Sequence, residues 1–431
     1  MRTYRELFAT PEYTPLFLVV AAHVAATTVS GLALSTLVFD RTGSPLLSAL
    51  AMFGPSLAQA AGAATLLSAA DRLPPRAALT GIALLLGLGT AAQAVPGLPT
   101  WAAFGVLLAA GMVGSLGGGV KYGLLTDILA REGYLLGRSV LAMTDGVMQI
   151  CGFAVGGGLV AALSPRGTLL AGAALFCAAA GTARLGLAAR PARAAGRPSV
   201  RATWRRNARL WSLPARRHVY LALWVPSGLV VGCESLFVSY APRQAGLLFT
   251  CSALGMLAGD TAAGRFVPDA WRGRLVVPLY VLLAAPYLVF AAGPPLPVAA
   301  AAVTVASAGY GTGLLLQPRL MDLTPEEMSG QALGLHSSGM LAAQGVAAAL
   351  AGTLAQWSSP GTATALLAGL CPWRPPRPSP ARSGRRTTPC PAIWQVDLAK
   401  IGNIPDTRWK DRKGGVRWNF GRPTHASASP S

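Results

Sequence analysis

The chain has 431 residues, 52% of them hydrophobic and only 12% charged, with a formal net charge of +20 and a mean hydropathy of +0.47. A soluble domain carries about 25% charged residues, so this composition excludes a water-soluble globular protein and points to a chain embedded in a bilayer. The six cysteines are scattered without a CxxC pair, which indicates neither a disulfide framework nor a metal site, and no cofactor is expected.

The N-terminal stretch MRTYRELFATPEYTPLFLVV has no small-residue cleavage site and runs into a full apolar span, so it is not read as a cleaved signal. Apolar segments of crossing length, about 20 residues, then follow at 16–38, 45–69, 78–95, 101–125, 138–163, 168–188, 218–240, 244–262, 275–292, 296–318 and 330–356. These are eleven spans. A twelfth opens with GTATALLAGLC at Gly361 and stops at Pro372, too short for a hydrocarbon core of about 30 Å at helical rise. The predicted fold is all-α: a polytopic bundle with two six-helix halves, the last helix truncated and expected at the periphery.

Charge orients the bundle. With the N-terminus inside, the external loops hold Arg41, Arg166 and Arg243, whereas the internal ones hold Arg72, Arg76, Arg131, Arg138, Arg265, Arg272, Arg274 and Arg319. The longest internal stretch, 190–217, carries nine arginines and no acid. This is the positive-inside pattern, and it predicts an inner (plasma) membrane protein with cytoplasmic N-terminus and tail. The basic loops are expected to meet anionic lipid headgroups. No zinc-ligand spacing, recognition-helix pattern or RNA-binding signature accompanies them, so nucleic acid is not an expected partner. The predicted organisation is a first bundle at 1–189, a basic linker at 190–217, a second bundle at 218–371 and a basic tail at 372–431. That tail holds three of the four lysines and four of the ten tryptophans, with twelve basic residues against three acids. It has no periodicity that would bury a core and is expected to be disordered, as after a frame disruption or alternative C-terminus; a basic cytoplasmic tail that binds anionic lipid is the other reading.

Both halves carry the same landmark after their second span: SAADRLPPRAAL at 68–79 and GDTAAGRFVPDAWRGRL at 259–275, with Arg72 and Arg265 193 residues apart. This is the mark of a duplicated unit. Over about residues 10–370, the span number, orientation, central basic loop and these landmarks resemble the major facilitator superfamily of secondary transporters. Asp71, Arg72 and Arg76 match the charged positions of that family's signature between spans two and three, while Leu67, Pro74 and Pro75 depart from it. The resemblance implies a cytoplasmic cluster that holds helix ends together in one conformational state, with Asp260 and Arg265 as the second-half counterpart. Topogenic charge alone is the other reading. In span five, Gly152, Gly156 and Gly157 occupy the glycine positions of the family's antiporter motif, and Phe153 stands where its proline would be. Glycines at four-residue spacing allow close helix approach. Span four lacks the embedded arginine of many proton-coupled antiporters, and its one cation before the terminal turn, Lys121, could snorkel to the cytoplasmic surface.

One carboxylate stands out in PSGLVVGCESLFVSYA at 226–241. Glu234 lies about two-thirds of the way through span seven, where an acid costs about 2.5–3.5 kcal/mol on the insertion scale. Intramembrane acids mark ion or substrate pathways, and sites in such transporters lie near the midplane between the halves. Glu234 is the leading candidate for proton coupling or the substrate cavity, with a structural pairing, for instance to Lys121, as the alternative. Asp145 and Gln149 share a face of span five and are a second candidate. Gln59, Gln344 and Lys121 are candidate cavity residues, and His23 is ambiguous. No catalytic constellation or nucleotide loop is present, so neither an enzyme nor an ATP-driven pump is expected. The function this implies is proton-driven export of a small amphipathic or drug-like molecule by a monomer working through alternating access. An importer or facilitator of a small metabolite, or a non-functional truncated copy, is the alternative.

Overall fold

The computed structural model describes residues 4–70, 72–129, 131–192 and 200–371; Asp71 and the basic tail fall outside them. After a short helix α1 (Tyr4–Phe8), spans one to four are single helices: α2 (Tyr13–Thr42), α3 (Pro45–Ala70), α4 (Pro75–Gln93) and α5 (Thr100–Ile128). With no water in the hydrocarbon, each segment must satisfy its own backbone, and the helix does so internally. The turns are short. Gly43 takes a left-handed φ of 61° and returns its N–H to Phe39 O at 2.8 Å, while Pro45 and Pro75 begin the next helices, where a proline has no N–H to waste.

Spans five and six form one continuous element, α6 (Arg131–Gly186), that reverses at Ser164, whose φ is 73° and which precedes Pro165. Were it straight, Gly137 and Gly186 would lie about 74 Å apart. Instead both pack on the first turn of α2, Gly137 against Tyr13 and Gly186 against Pro15. The apolar element is therefore a hairpin, and the eleven crossings read from hydropathy are all present.

The basic stretch between the halves contains an amphipathic helix, α7 (Val200–Ser212). Arg205, Arg206 and Arg209 are exposed, while Trp211 stacks on Trp224 (5.6 Å, 11°) and on Tyr220. Asn207 accepts a hydrogen bond from Gln331. Arg216 is buried because it caps two chain ends: Nε and Nη2 donate to Leu323 O at 3.1 and 2.7 Å, and Nη1 donates to Leu210 O at 3.3 Å.

The second half is more broken. Span seven is α8 (Pro214–Glu234) followed by α9 (Phe237–Tyr240), and span eight is α10 (Ala245–Phe266). Span nine is α11 (Asp269–Ala284) continued by a 3-10 turn at Ala285–Ala292. Span ten is α12 (Leu296–Ser307), a 3-10 turn at Ala308–Gly311, and α13 (Thr312–Asp322). Span eleven is α14 (Ser329–Trp357), and α15 (Pro360–Gly369) is the shortened twelfth. At ten residues, α15 rises about 15 Å, half a hydrocarbon core. Rather than lying at the periphery, it wedges inward: Gly361 lies on Phe290 O, Leu367 touches Gly232, and Cys233 Sγ donates to Thr364 O at 3.4 Å.

Two contacts repeat the internal duplication. Tyr13 Oη at the start of span one donates to Gly137 O at the start of span five (3.1 Å), and Tyr220 Oη in span seven donates to Ala332 O in span eleven (3.2 Å). Between the halves, α3 meets α14 and α6 meets α10 on the side away from the linker. Ser44 and Gln356 exchange hydrogen bonds at 3.1 and 3.3 Å, Gly352 lies on Leu46, Gly345 lies on Leu57, and Phe153 stacks on Phe249 at 4.7 Å. Exposed Trp101 and Trp357 sit at the far end of the bundle and Trp204 and Trp271 at the linker end, the two aromatic belts of a bilayer-spanning protein.

Candidate functional site

Glu234 is the last residue of α8, where Ser235 and Leu236 turn the chain before α9. The glycine two positions before it explains the tight setting: a Cβ on Gly232 would collide with Ala347 O and Leu367. This presses the end of α8 onto α14 and α15. The side chain is 8% exposed and turns into the second half. Ser252 of α10 donates to its Oε1 at 2.6 Å, and Ser252 is in turn 3.0 Å from Ser307 Oγ of α12. Tyr287 and Tyr310 bring two more hydroxyls to the same pocket, each buried without a completed hydrogen bond among the described residues.

The tyrosines come from the 3-10 turns of spans nine and ten, and Glu234 from the break in span seven. Three spans thus leave the α-helix at one place. Close backbone contact shapes it, with Gly259 of α10 against Ala308 and Gly309 against Leu279 and Leu283. Sequence reading singled out Glu234 but none of its four hydroxyl neighbours. Their only sequence signal is a serine or tyrosine in mid-span, which is common in Ala-rich helices. The alternative partner Lys121 does not reach Glu234.

Lys121 instead pairs with Asp145. Its Nζ lies 3.0 Å from Oδ2 and 3.4 Å from Oδ1, and 4.9 Å from the centre of the Tyr122 ring. The ammonium is engaged within the first half and does not snorkel. His23 of α2 lies in electrostatic range of Lys121 and sets its ring edge-on to Phe176. Gln149 is on α6 one turn from Asp145, Gln59 of α3 lies over Gly114 of α5, and Gln344 is on α14; all three are partly exposed. The structure therefore gathers the predicted cavity residues into separate groups, with Glu234 in one and Lys121 and Asp145 in another.

Of the expected charge cluster, Asp71 lies outside the described residues. Arg72 and Arg76 flank the start of α4, and the Nε of each is buried without a hydrogen-bond partner among the described residues. Asp260 and Arg265 are five residues apart on α10, so they stand about 140° apart around the helix, and the Arg265 guanidinium lies over the Phe266 ring at 5.9 Å. The glycines of α6 divide between two partners. Gly152 fits against Thr28 and Gly156 against Val29 and Leu32 of α2, whereas Gly157 meets Gly246 of α10 across the halves.

A pair outside the sequence expectations ties span one to span six on the linker side. Arg190 Nη1 and Nη2 meet Glu12 Oε2 and Oε1 at 2.6 and 2.8 Å, and Ala188 N donates to Oε2 at 2.9 Å. The Arg190 guanidinium holds the Glu12 carboxyl below its usual value, and Glu12 raises Arg190.

No family model matches the sequence, and no curated protein matches it either. Solved structures do match by fold. A POT family transporter crystallised with a thioalcohol-conjugated peptide superposes with a TM-score of 0.67 at 10% identity, over 83% of this chain and 93% of that one. A mutant of the nucleoside transporter NupG gives 0.67 at 11% identity, over 83% and 96%. A bacterial homolog of the human lysosomal transporter Spinster, inward-facing and unoccupied, gives 0.61 at 14% identity, over 83% and 84%. These proteins are transporters, and the chain shares with them an all-α, multi-pass membrane fold.

Proposed function

We propose that this chain is a secondary transporter of the major facilitator type that exports a small amphipathic or drug-like molecule at the expense of a proton gradient, with Glu234 as the group that takes up and releases the proton. The observation that carries the reading is the convergence of three helix interruptions on one carboxyl. Among the described residues Glu234 has no counter-cation, and its neighbours are neutral hydroxyls. A carboxyl locked in an ion pair keeps its charge state, whereas one held by hydroxyls can change it. Local 3-10 geometry within a span often marks a hinge, and interrupted helices form ion sites in transporters.

The mechanism follows from the donors. Ser252 already donates to the carboxyl, and Tyr287 and Tyr310 hold two unspent hydroxyls nearby. Movement of the two 3-10 turns that brings these hydroxyls onto the carboxylate stabilises its charged form, and protonation removes that demand. Spans nine and ten are thereby biased between two arrangements, and alternating access is the rocking of the halves about the contacts of α3 with α14 and α6 with α10. The enclosure of Glu234 by second-half elements favours a proton role over direct substrate contact. The orientation that fits is an N-terminus and linker on the cytoplasmic side of the inner membrane.

The experiment is accumulation of a panel of lipophilic dyes and antibiotics in inverted membrane vesicles, with and without an imposed pH gradient. The intact chain and Glu234→Gln are compared after equal insertion is verified. Gradient-dependent accumulation that disappears in the variant is expected; accumulation by the intact chain that ignores the gradient refutes the proposal.

A further inference from the structure

The first half holds a charged site of its own, and its chemistry bears on what is carried. Lys121 and Asp145 form an ion pair between α5 and α6, with side chains 16% and 35% exposed. Charges at this depth are tolerated where they border water or protein, not lipid. The location fits water. On α6, Phe153 and Gly157 touch the second half, and Asp145 lies two to three turns nearer the linker. Asp145 shares the face of α6 that carries Gly152 and Gly156, which pack on α2, so the pair lies within the first half, and its partly exposed side chains border water on the linker side. An ammonium has three donors and a carboxylate about four acceptor positions. Among the described residues, the single approach of Nζ to both oxygens leaves most of these unused.

We infer that the Lys121–Asp145 pair is a subsite for zwitterionic molecules, those with an ammonium and a carboxylate on one amphipathic body. The inference rests on the transporter reading above and adds the substrate class. An anion entering here meets Lys121 but also the like charge of Asp145, and a cation meets the reverse. A zwitterion instead exchanges one ion pair for two crossed ones, its carboxylate on Lys121 and its ammonium on Asp145, with no change in net charge inside the membrane. The Tyr122 ring beside Lys121 also carries the Arg138 guanidinium at 5.4 Å, a second cation at the rim of the site that adds to the attraction for the ligand's carboxylate.

The test is isothermal titration of the purified full chain in detergent with four compounds sharing one ring: phenylalanine (zwitterion), N-acetylphenylalanine (carboxylate alone), phenylalanine amide (ammonium alone) and N-acetylphenylalanine amide (neutral). Phenylalanine is expected to bind about tenfold or more tightly than each of the others, the scale of one charge-assisted hydrogen bond. Asp145→Asn should weaken phenylalanine about tenfold and bring N-acetylphenylalanine level with it. Lys121→Asp combined with Asp145→Lys keeps the charge balance if the single variant does not fold, and should retain the preference for phenylalanine. Equal binding of all four, no binding of phenylalanine, a preference unaffected by Asp145→Asn, or a preference lost in the charge-swapped double variant overturns the inference and leaves the pair a structural contact. No gradient is applied, so the outcome is independent of proton coupling. Gradient-driven transport without zwitterion preference contradicts this inference alone; zwitterion binding without a gradient response contradicts only the proton reading.

Discussion

Replacing Gly246 tests whether the contact between the halves is part of a moving mechanism. A Cβ at this position would lie 2.7 Å from Gly157 Cα, 3.0 Å from Phe153 O and 3.2 Å from Gly157 N, all backbone atoms that cannot rotate away. Unstrained carbon contacts need about 3.5–4.0 Å, so α10 must retreat by about 1 Å. Overpacking of this kind costs about 1–3 kcal/mol. If the contact exists in one state only, that state loses about five- to 150-fold in population. Gly246→Val is therefore expected to open the far side. The assay is a spin–spin distance between labels at Arg41→Cys and Trp357→Cys, which sit at the far ends of α2 and α14, in a chain with its six native cysteines replaced. A second, longer distance should appear in the variant and be absent in a control at Gly105→Val, where a Cβ meets nothing within 4 Å. A folded Gly246→Val protein with an unchanged distance distribution refutes the reasoning and makes the contact passive packing.

Three further outcomes are expected. Glu12→Gln removes the bidentate pair with Arg190 and should cost about 1 kcal/mol at pH 7, the upper end for a partly exposed pair. Because the folded carboxyl is held below its ordinary value of 4.5, its contribution is present above that pH and lost as pH falls through the depressed value; thermal unfolding in detergent should show the variant's deficit vanish in acid. Ser252→Ala strips the one completed hydrogen bond from Glu234 and should destabilise the protein by about 1–3 kcal/mol, a loss that Glu234→Gln combined with it reduces; equal losses with and without Glu234 contradict the pairing. Trp211→Ala removes the stack on Trp224 and Tyr220 and should speed tryptic cleavage at Arg205, Arg206 and Arg209, whereas unchanged cleavage means that α7 is held by Asn207 and Arg216 alone.

The spans were legible because lipid leaves the backbone one choice per segment, and a run of apolar residues therefore maps directly onto a crossing. The reversal at Ser164 falls in the gap between the apolar segments 138–163 and 168–188, where Arg166 marks an external loop. The helix at Val200–Ser212 was hidden by its own arginines, since its buried face consists of little more than Leu210 and Trp211. The glycines show a partial success. Four-residue spacing put Gly152 and Gly156 on one face and foretold a close approach, but the adjacent Gly157 points about 100° away and finds Gly246 in the other half, which no local spacing encodes. The same limit applies to the charged residues. The cost of burying Glu234 made it visible, whereas the hydroxyls that surround it are cheap at any depth and become a site only when three interrupted spans bring them together. Lys121 and Asp145, 24 residues apart, meet because two antiparallel helices lie in register, and hydropathy carries no information on register.

The most direct test of the proton role separates exchange from driven transport. In proteoliposomes containing Glu234→Gln, exchange of a transported dye across the membrane at equal pH should continue at a rate near that of the intact protein, while accumulation driven by a pH gradient should be lost. The neutral amide mimics one protonation state and permits the conformational cycle, but it carries no proton. Undiminished gradient-driven accumulation in that variant would contradict the account and return Glu234 to the role of a structural hydrogen-bond acceptor at the break in span seven.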